Sequence, residues 1–245
     1  VVSKYFNGEE HYYRDMDGKI SYDGPLIILT SKVTASAAEI VAQTLQDYGV
    51  AIIVGDVRTY GKGTIQSQTV TDNQGAAYFK VTVGKYYTVS GKTPQIQGVK
   101  ADVVVPSQFV HDSIGEEYLE YALKPDMIAA SFEDSLTDVP ATLKSWYLRY
   151  YTPTMQHQKH LWQSMIPELK KNSQFRIANN KNYQDFLMGS SARSLPSRRA
   201  SVEDLQMTEA VNVAKDMVNL KVKQRHGELD PTPNGQTAAL PAGVR

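Results

Sequence analysis

The stretch from residue 26 to residue 54 limits the fold more than any other, because two short apolar runs flank a helical pattern. Residues 26–30 read Leu-Ile-Ile-Leu-Thr and residues 51–54 read Ala-Ile-Ile-Val, both typical of strands buried on two faces. Residues 37–48 place apolar side chains at helical spacing and end at Gly49, a common helix stop. Strand, helix and strand in this order predict a right-handed βαβ unit of the α/β class.

The signals after this unit are first those of strands and then those of helices. A β-hairpin is predicted from residues 65–70 and 78–89 with a turn at 72–75, and residues 103–106 resemble a last short strand. Helical patterns cover residues 143–150, 155–172, 181–188 and 202–224. Pro167 is expected to cap or break the second of these helices.

These patterns divide the chain into four parts. We expect a polar ribbon in residues 1–24, an α/β core with a β-hairpin in 25–124, a mainly α-helical C-terminal domain in 125–227, and a disordered tail in 228–245. The chain begins Val-Val-Ser-Lys, without an initiator Met or an apolar signal segment, and is therefore expected to be a mature form or an excised piece.

Composition excludes several classes of function. The 26 basic and 26 acidic side chains cancel, whereas nucleic-acid binding relies on a basic excess. No cysteine is present, which excludes disulfides and thiolate chemistry. The apolar runs are far shorter than the roughly 20 residues that a bilayer span requires.

A serine in the segment Thr34-Ala-Ser-Ala-Ala-Glu39 is the first candidate for chemistry. Ser36 and Glu39 have the spacing of a capping box at a helix start. Ser36 also follows the carboxyl end of a buried strand, where α/β sheets place their sites, and free N–H groups at a helix start can stabilise an oxyanion. Both interpretations remain open because a cap can also be a nucleophile.

Histidine is the usual base for a serine, but the five histidines of this chain are poorly placed. There is no Gly-x-Ser-x-Gly elbow. His157 and His160 would share a helix face and could bind a metal, yet no acidic pattern supports such a site. We therefore interpret both as surface histidines.

Lys62 is the other candidate base, within Tyr60-Gly-Lys-Gly-Thr-Ile-Gln66. The flanking glycines allow a sharp turn and a close approach to other backbone. In an extended segment Lys62, Thr64 and Gln66 point to one face, so that a lysine and an amide converge. The alternative is a turn with an exposed lysine. A phosphate-binding loop is excluded by the spacing of the glycines.

Taken together, these segments resemble the C-terminal processing, or tail-specific, serine peptidases that use a Ser/Lys dyad. The motifs that carry the resemblance occur in order over residues 23–107 and end with Pro94-Gln-Ile-Gln-Gly-Val-Lys-Ala-Asp-Val-Val-Val-Pro106. Residues 203–220 are similar to the C-terminal domain of the long periplasmic Gram-negative form, in the manner of its chlamydial branch.

The resemblance implies an α/β peptidase core in which Ser36 is the nucleophile, Lys62 the general base and Gln66 the residue that orients the lysine. It implies that the Ala37 backbone N–H lines the oxyanion hole and that neither a cofactor nor a metal is needed. It further implies a periplasmic location and protein substrates with nonpolar C-termini.

The family's PDZ domain and the glycine that supplies a second oxyanion donor would lie upstream, so the chain resembles a C-terminal fragment. The alternative hypothesis is a noncatalytic fragment whose helical half is a protein-binding or assembly module.

Overall fold

The computed structural model describes residues 1–70, 78–191 and 204–225, in which strands with one α-helix among them come first and helices follow. The strands are β1 (Val2–Tyr5), β2 (Glu10–Tyr12), β3 (Ile27–Thr30), β4 (Ile52–Gly55), β5 (Thr64–Val70), β6 (Tyr78–Tyr87) and β7 (Val103–Val104). The helices are α1 (Ala37–Asp47), α2 (Ala141–Trp146), α3 (Ile166–Asn179), α4 (Lys181–Ser191) and α5 (Leu205–Arg225). The predicted turn at 72–75 and tail at 228–245 lie outside the described residues.

A parallel sheet in the order β3-β4-β7 carries the main core. Side chains alternate along β4, so that Ile53 packs with Ala42 of α1 and with Val99 on one face. Ile52 and Val54 face the other side. Because apolar groups cover both faces, β4 needs the uninterrupted apolar run that the sequence shows. The prediction of a mixed α/β fold is confirmed.

The helices of the second half cover the face of this sheet that carries Ile52 and Val54. One hydrophobic cluster joins residues of β4 and β7 to Leu169 of α3 and to Val213 and Met217 of α5. Trp162 donates a hydrogen bond from Nε1 to the carbonyl of Val50 at 2.8 Å. The cluster thus joins side chains from both sides of the predicted boundary at residue 125, and the division into domains stays a prediction.

A second, antiparallel sheet has the order β2-β1-β6-β5. Strands β1 and β2 form a hairpin in the part of the chain predicted to be a polar ribbon. Strands β5 and β6 pair over their length, with a register shift between Ile65 and Gln66. The extra residue at this shift is Val83 of β6, which lies between the partners of Ile65 and Gln66.

The predicted helix over residues 155–172 is shorter in the structure. Helix α3 begins at Ile166, with Pro167 in its first turn, because proline lacks the N–H that a helix interior needs. His157 and His160 precede the helix and are exposed, so they share no helix face. Helix α2 is likewise short and continues as a wider π-helical turn, Tyr147–Tyr151. No helix in the described ranges is long and apolar enough to cross a bilayer.

A buried arginine fastens the amino-terminal hairpin to the middle of the chain. Arg14 donates from Nη1 to Asp138 Oδ2 at 2.9 Å and from Nη2 to Asp134 Oδ1 at 3.2 Å. The Arg14 hydrogen bonds lower the pKa of Asp138. Burial opposes ionisation of Asp134, but hydrogen bonds from Arg14 and from the Leu136 N–H outweigh it and lower the pKa of Asp134 as well.

This cluster makes stability sensitive to acid. Both carboxyl groups have a lower pKa in the folded state, so their contribution is present above the unfolded value of about 3.9 and is lost as the pH falls through the folded values. We expect the urea concentration at the unfolding midpoint to decrease as the pH is lowered below about 4. This decrease should be less steep in Asp138→Asn. Asp17→Asn, at an exposed position, is the control and should keep the wild-type slope. Identical slopes in all three proteins would contradict the role of the cluster.

Candidate active site

Ser36 lies between β3 and α1 in a backbone conformation that few side chains adopt. Its φ is 59° and its ψ is −118°, and it is the residue that precedes the first turn of α1. A positive φ in a residue with a Cβ costs on the order of 1–3 kcal/mol and persists only where neighbouring groups impose it. The serine that the sequence indicates is therefore held in a strained turn at a helix start.

Glu39 is the group that ties this turn to the lysine loop. Its side chain is completely buried. One carboxylate oxygen, Oε2, accepts the backbone N–H of Ser36 at 2.8 Å and the backbone N–H of Lys62 at 2.9 Å. The other oxygen accepts the Gly61 N–H at 2.7 Å and the hydroxyl of Thr59. Glu39 thus closes the capping box with Ser36 and at the same time holds the chain on both sides of Gly61.

Tyr86 contacts the opposite ends of the same two residues. Its hydroxyl donates to the carbonyl oxygen of Lys62 at 2.7 Å and lies 3.1 Å from the carbonyl oxygen of Ser36. Burial, reinforced by Glu39 and Glu116, raises the pKa of Tyr86 far above its usual value, so the phenol keeps its proton. The sequence gives no indication of this role of Tyr86, because the hydrophobic pattern of β6 carries no sign of a polar contact with two distant loops.

The glycines beside Lys62 have the role that the sequence predicts. Gly61 has a φ of 92°, and a Cβ on it would lie 2.9 Å from the Ile96 carbonyl oxygen. A Cβ on Gly63 would lie 2.2 Å from the Thr93 hydroxyl oxygen. Both positions therefore need glycine, because the lysine loop passes directly over other backbone.

The Lys62 ammonium bonds to a neighbour on its own strand. Its Nζ atom donates to the Thr64 hydroxyl at 3.2 Å, and the residue is half-buried. In the part of the chain that the structure describes, Lys62 forms no ion pair with a carboxylate. Gln66 is exposed beyond the register shift and makes no hydrogen bond to Lys62 within the described residues.

The first free amide of α1 completes the arrangement. Ala37 is the first residue of the helix, and within the described residues no group accepts its N–H. The backbones of Ser36 and Lys62 and the free N–H of Ala37 thus lie together at the carboxyl edge of the parallel sheet. These are the groups that an acyl-transfer site requires.

The family comparison agrees with this assembly. Residues 1–105 match the family model described as peptidase family S41. The resemblance to C-terminal processing peptidases is thereby confirmed at the level of the family.

Individual relatives align with part of the chain. The tail-specific protease of Haemophilus influenzae is 34% identical over 125 residues, which are 49% of this chain and 18% of that protein. The carboxyl-terminal-processing protease of Picosynechococcus is 40% identical over 109 residues, 43% of this chain and 25% of that protein. The chain thus spans no more than 25% of the length of these two relatives.

Among solved structures, the photosystem II D1 C-terminal processing protease is 38% identical with a TM-score of 0.30, and the match covers 34% of this chain and 20% of that one. Mature CPAF is 24% identical with a TM-score of 0.31, over 34% of this chain and 16% of that one.

Metal ligands are not grouped around this site. Across residues 1–70, 78–191 and 204–225, no three His, Asp or Glu side chains are placed to hold one ion.

The strained turn gives a stability test that does not depend on activity. Ser36→Gly should be more stable than Ser36→Ala by about 1 kcal/mol, because glycine adopts a positive φ without the steric cost that alanine bears. Urea unfolding of the two variants measures the difference. Serine 67, exposed on β5, supplies the control, since Ser67→Gly should instead be less stable than Ser67→Ala. An alanine variant that is as stable as glycine at position 36 would show that the turn relaxes.

Proposed function

We propose that this chain carries the catalytic dyad of a serine endopeptidase that cleaves proteins near nonpolar C-termini through an acyl-enzyme. Ser36 is the nucleophile, Lys62 is the general base and Gln66 orients the lysine. The observation that carries the proposal is the pair of contacts, from Glu39 and from Tyr86, that hold the Ser36 and Lys62 backbones together. The match of this segment to peptidase family S41 supports it.

The proposed chemistry uses the amine of Lys62 in its neutral form. The amine accepts the Ser36 hydroxyl proton while Oγ attacks the scissile carbonyl carbon. The Ala37 N–H stabilises the oxyanion of the tetrahedral intermediate. Collapse of the intermediate breaks the C–N bond, and the lysine returns the proton to the leaving amine. Water then hydrolyses the acyl-enzyme by the same proton transfers, which regenerates Ser36.

The surroundings of Lys62 suit a base. No carboxylate pairs with its ammonium among the described residues, and Glu39 contacts its backbone N–H rather than its side chain. A nearby carboxylate would favour the charged form, which cannot accept a proton. In the proposed active arrangement the lysine leaves Thr64, and Gln66 bonds to it once substrate occupies the site.

The substrate class and the location are proposals from the names of relatives and from the resemblance. The relatives are named tail-specific and carboxyl-terminal-processing proteases. We propose protein substrates with nonpolar C-termini, an upstream PDZ segment of the same polypeptide that captures those termini, a second oxyanion donor from an upstream glycine, and a periplasmic location. No cofactor takes part in the proposed reaction.

An active-site-directed fluorophosphonate tests the nucleophile. We expect it to label Ser36 in the polypeptide that includes the proposed upstream segments, with mass spectrometry of the digest locating the adduct, and we expect Ser36→Ala to abolish labelling because the attacking hydroxyl is missing. Ser67→Ala, at an exposed position, is the control and should keep the wild-type rate. Labelling that survives Ser36→Ala would refute the proposal, and a polypeptide that stays unlabelled with the upstream segments present would favour the noncatalytic alternative.

Lys62→Arg tests the base. A guanidinium stays protonated and cannot accept the serine proton, so the arginine variant should be labelled as slowly as Lys62→Ala. Loss of a general base lowers the rate by about a hundredfold to ten-thousandfold. Lys80→Arg, on the exposed part of β6, is the matched control and should react like wild type. An arginine variant that keeps appreciable reactivity would exclude Lys62 as the base.

A further inference from the structure

Tyr86, whose hydroxyl contacts the backbones of Ser36 and Lys62, is also held in place by its own backbone and by its burial. Tyr86 is 5% exposed. Its backbone N–H donates to the Gly63 carbonyl at 3.0 Å, and its strand pairs with β1 opposite Ser3. The ring therefore projects from a position that two neighbouring chain segments determine, and the hydroxyl has little freedom to move.

The two carbonyl groups that meet this hydroxyl differ in their other partners. The Ser36 carbonyl also accepts the N–H groups of Glu39 and Ile40 in α1, at 2.9 and 3.1 Å. Within the described residues, the Lys62 carbonyl accepts a hydrogen bond from Tyr86 alone. The Ser36 carbonyl is thus also held by α1. Among the described residues, the Lys62 carbonyl is held by the Tyr86 hydroxyl alone.

We propose that Tyr86 is a positioning residue for acylation of Ser36, which it serves by fixing the carbonyl of Lys62 against the start of α1. This inference rests on the proposed function of the dyad. Tyr86 transfers no proton itself, because its hydroxyl is directed at backbone carbonyls.

Backbone geometry explains why Glu39 cannot do this alone. Glu39 binds the N–H groups of Ser36 and Lys62 and so orients the peptide plane that precedes each residue. The peptide plane that follows each residue turns with ψ, and its direction is reported by the carbonyl that Tyr86 meets. Both planes must be held if the Lys62 side chain is to leave its backbone in one direction, toward Ser36.

Tyr86→Phe removes the hydroxyl and keeps the ring, and the next residue supplies a matched control. Tyr87 is also buried, and its hydroxyl donates to Asp126 Oδ1 at 3.0 Å, away from the dyad. Tyr87→Phe therefore also removes a buried phenol hydroxyl, but one that bonds to a carboxylate on the opposite face of the same strand. Both variants should show similar falls in melting temperature.

The decisive readout is the rate constant for fluorophosphonate labelling of Ser36, separated from the labelled fraction. Misplacement of a reacting group by about 1 Å can cost a hundredfold, so we expect the rate constant to fall at least about tenfold in Tyr86→Phe and to change less than about twofold in Tyr87→Phe. Labelling should still reach completion in both. A purely structural role would instead lower the labelled fraction and leave the rate constant of the folded protein unchanged.

Either a wild-type rate constant in Tyr86→Phe or an equal fall in Tyr87→Phe would overturn the inference. If wild type is not labelled at Ser36, the proposed function fails separately. Hydrogen–deuterium exchange of the Lys62 amide then decides about Tyr86: faster exchange in Tyr86→Phe than in Tyr87→Phe supports the positioning role, and equal exchange refutes it.

Discussion

The Glu39 carboxylate is the contact on which the candidate site depends. It is buried without a cation from the described residues, and four donors from the chain satisfy it. An ionised carboxylate in such a place is tolerated only when its oxygens are hydrogen-bonded. The loop from Thr59 to Lys62 must therefore lie against the start of α1, since the carboxylate would otherwise lose three of its four donors.

The parallel sheet determines where this contact can form. The carboxyl ends of β3 and β4 lie at one edge because the strands are parallel, and Ser36 and Lys62 both belong to the segments that leave that edge. Glycine at positions 61 and 63 lets the second segment approach backbone from residues 93–96. The strain at Ser36 and the close approach at these glycines are thus two results of bringing the same two segments together.

The sequence predicted the parts of this site that follow from local patterns. The apolar runs predicted β3 and β4, and the spacing of Ser36 and Glu39 predicted the cap of α1. It could not predict Thr59 and Tyr86, because their contacts join residues that are far apart in the chain and leave no periodic signal. The extra residue Val83 on β6 could not be predicted either, because it depends on the pairing of β6 with β5, which neither sequence reveals by itself. Pro167 lies in the first turn of α3, which is one of the two roles predicted for it. The helix predicted over residues 155–172 is too long at its start, because residues 156–161 run along the end of α1, where Lys159 and Leu161 bond to backbone carbonyls.

The hydrophobic cluster between the parallel sheet and the later helices has a consequence for how the protein folds. The match to the S41 family model ends at residue 105, yet Ile52, Val54 and Val103 are covered by side chains from residue 162 onward. A chain that ended at residue 105 would expose these apolar side chains to water. The segment that matches the family model is thus smaller than the unit that buries this sheet, and helices α3 and α5 keep its apolar side chains from water.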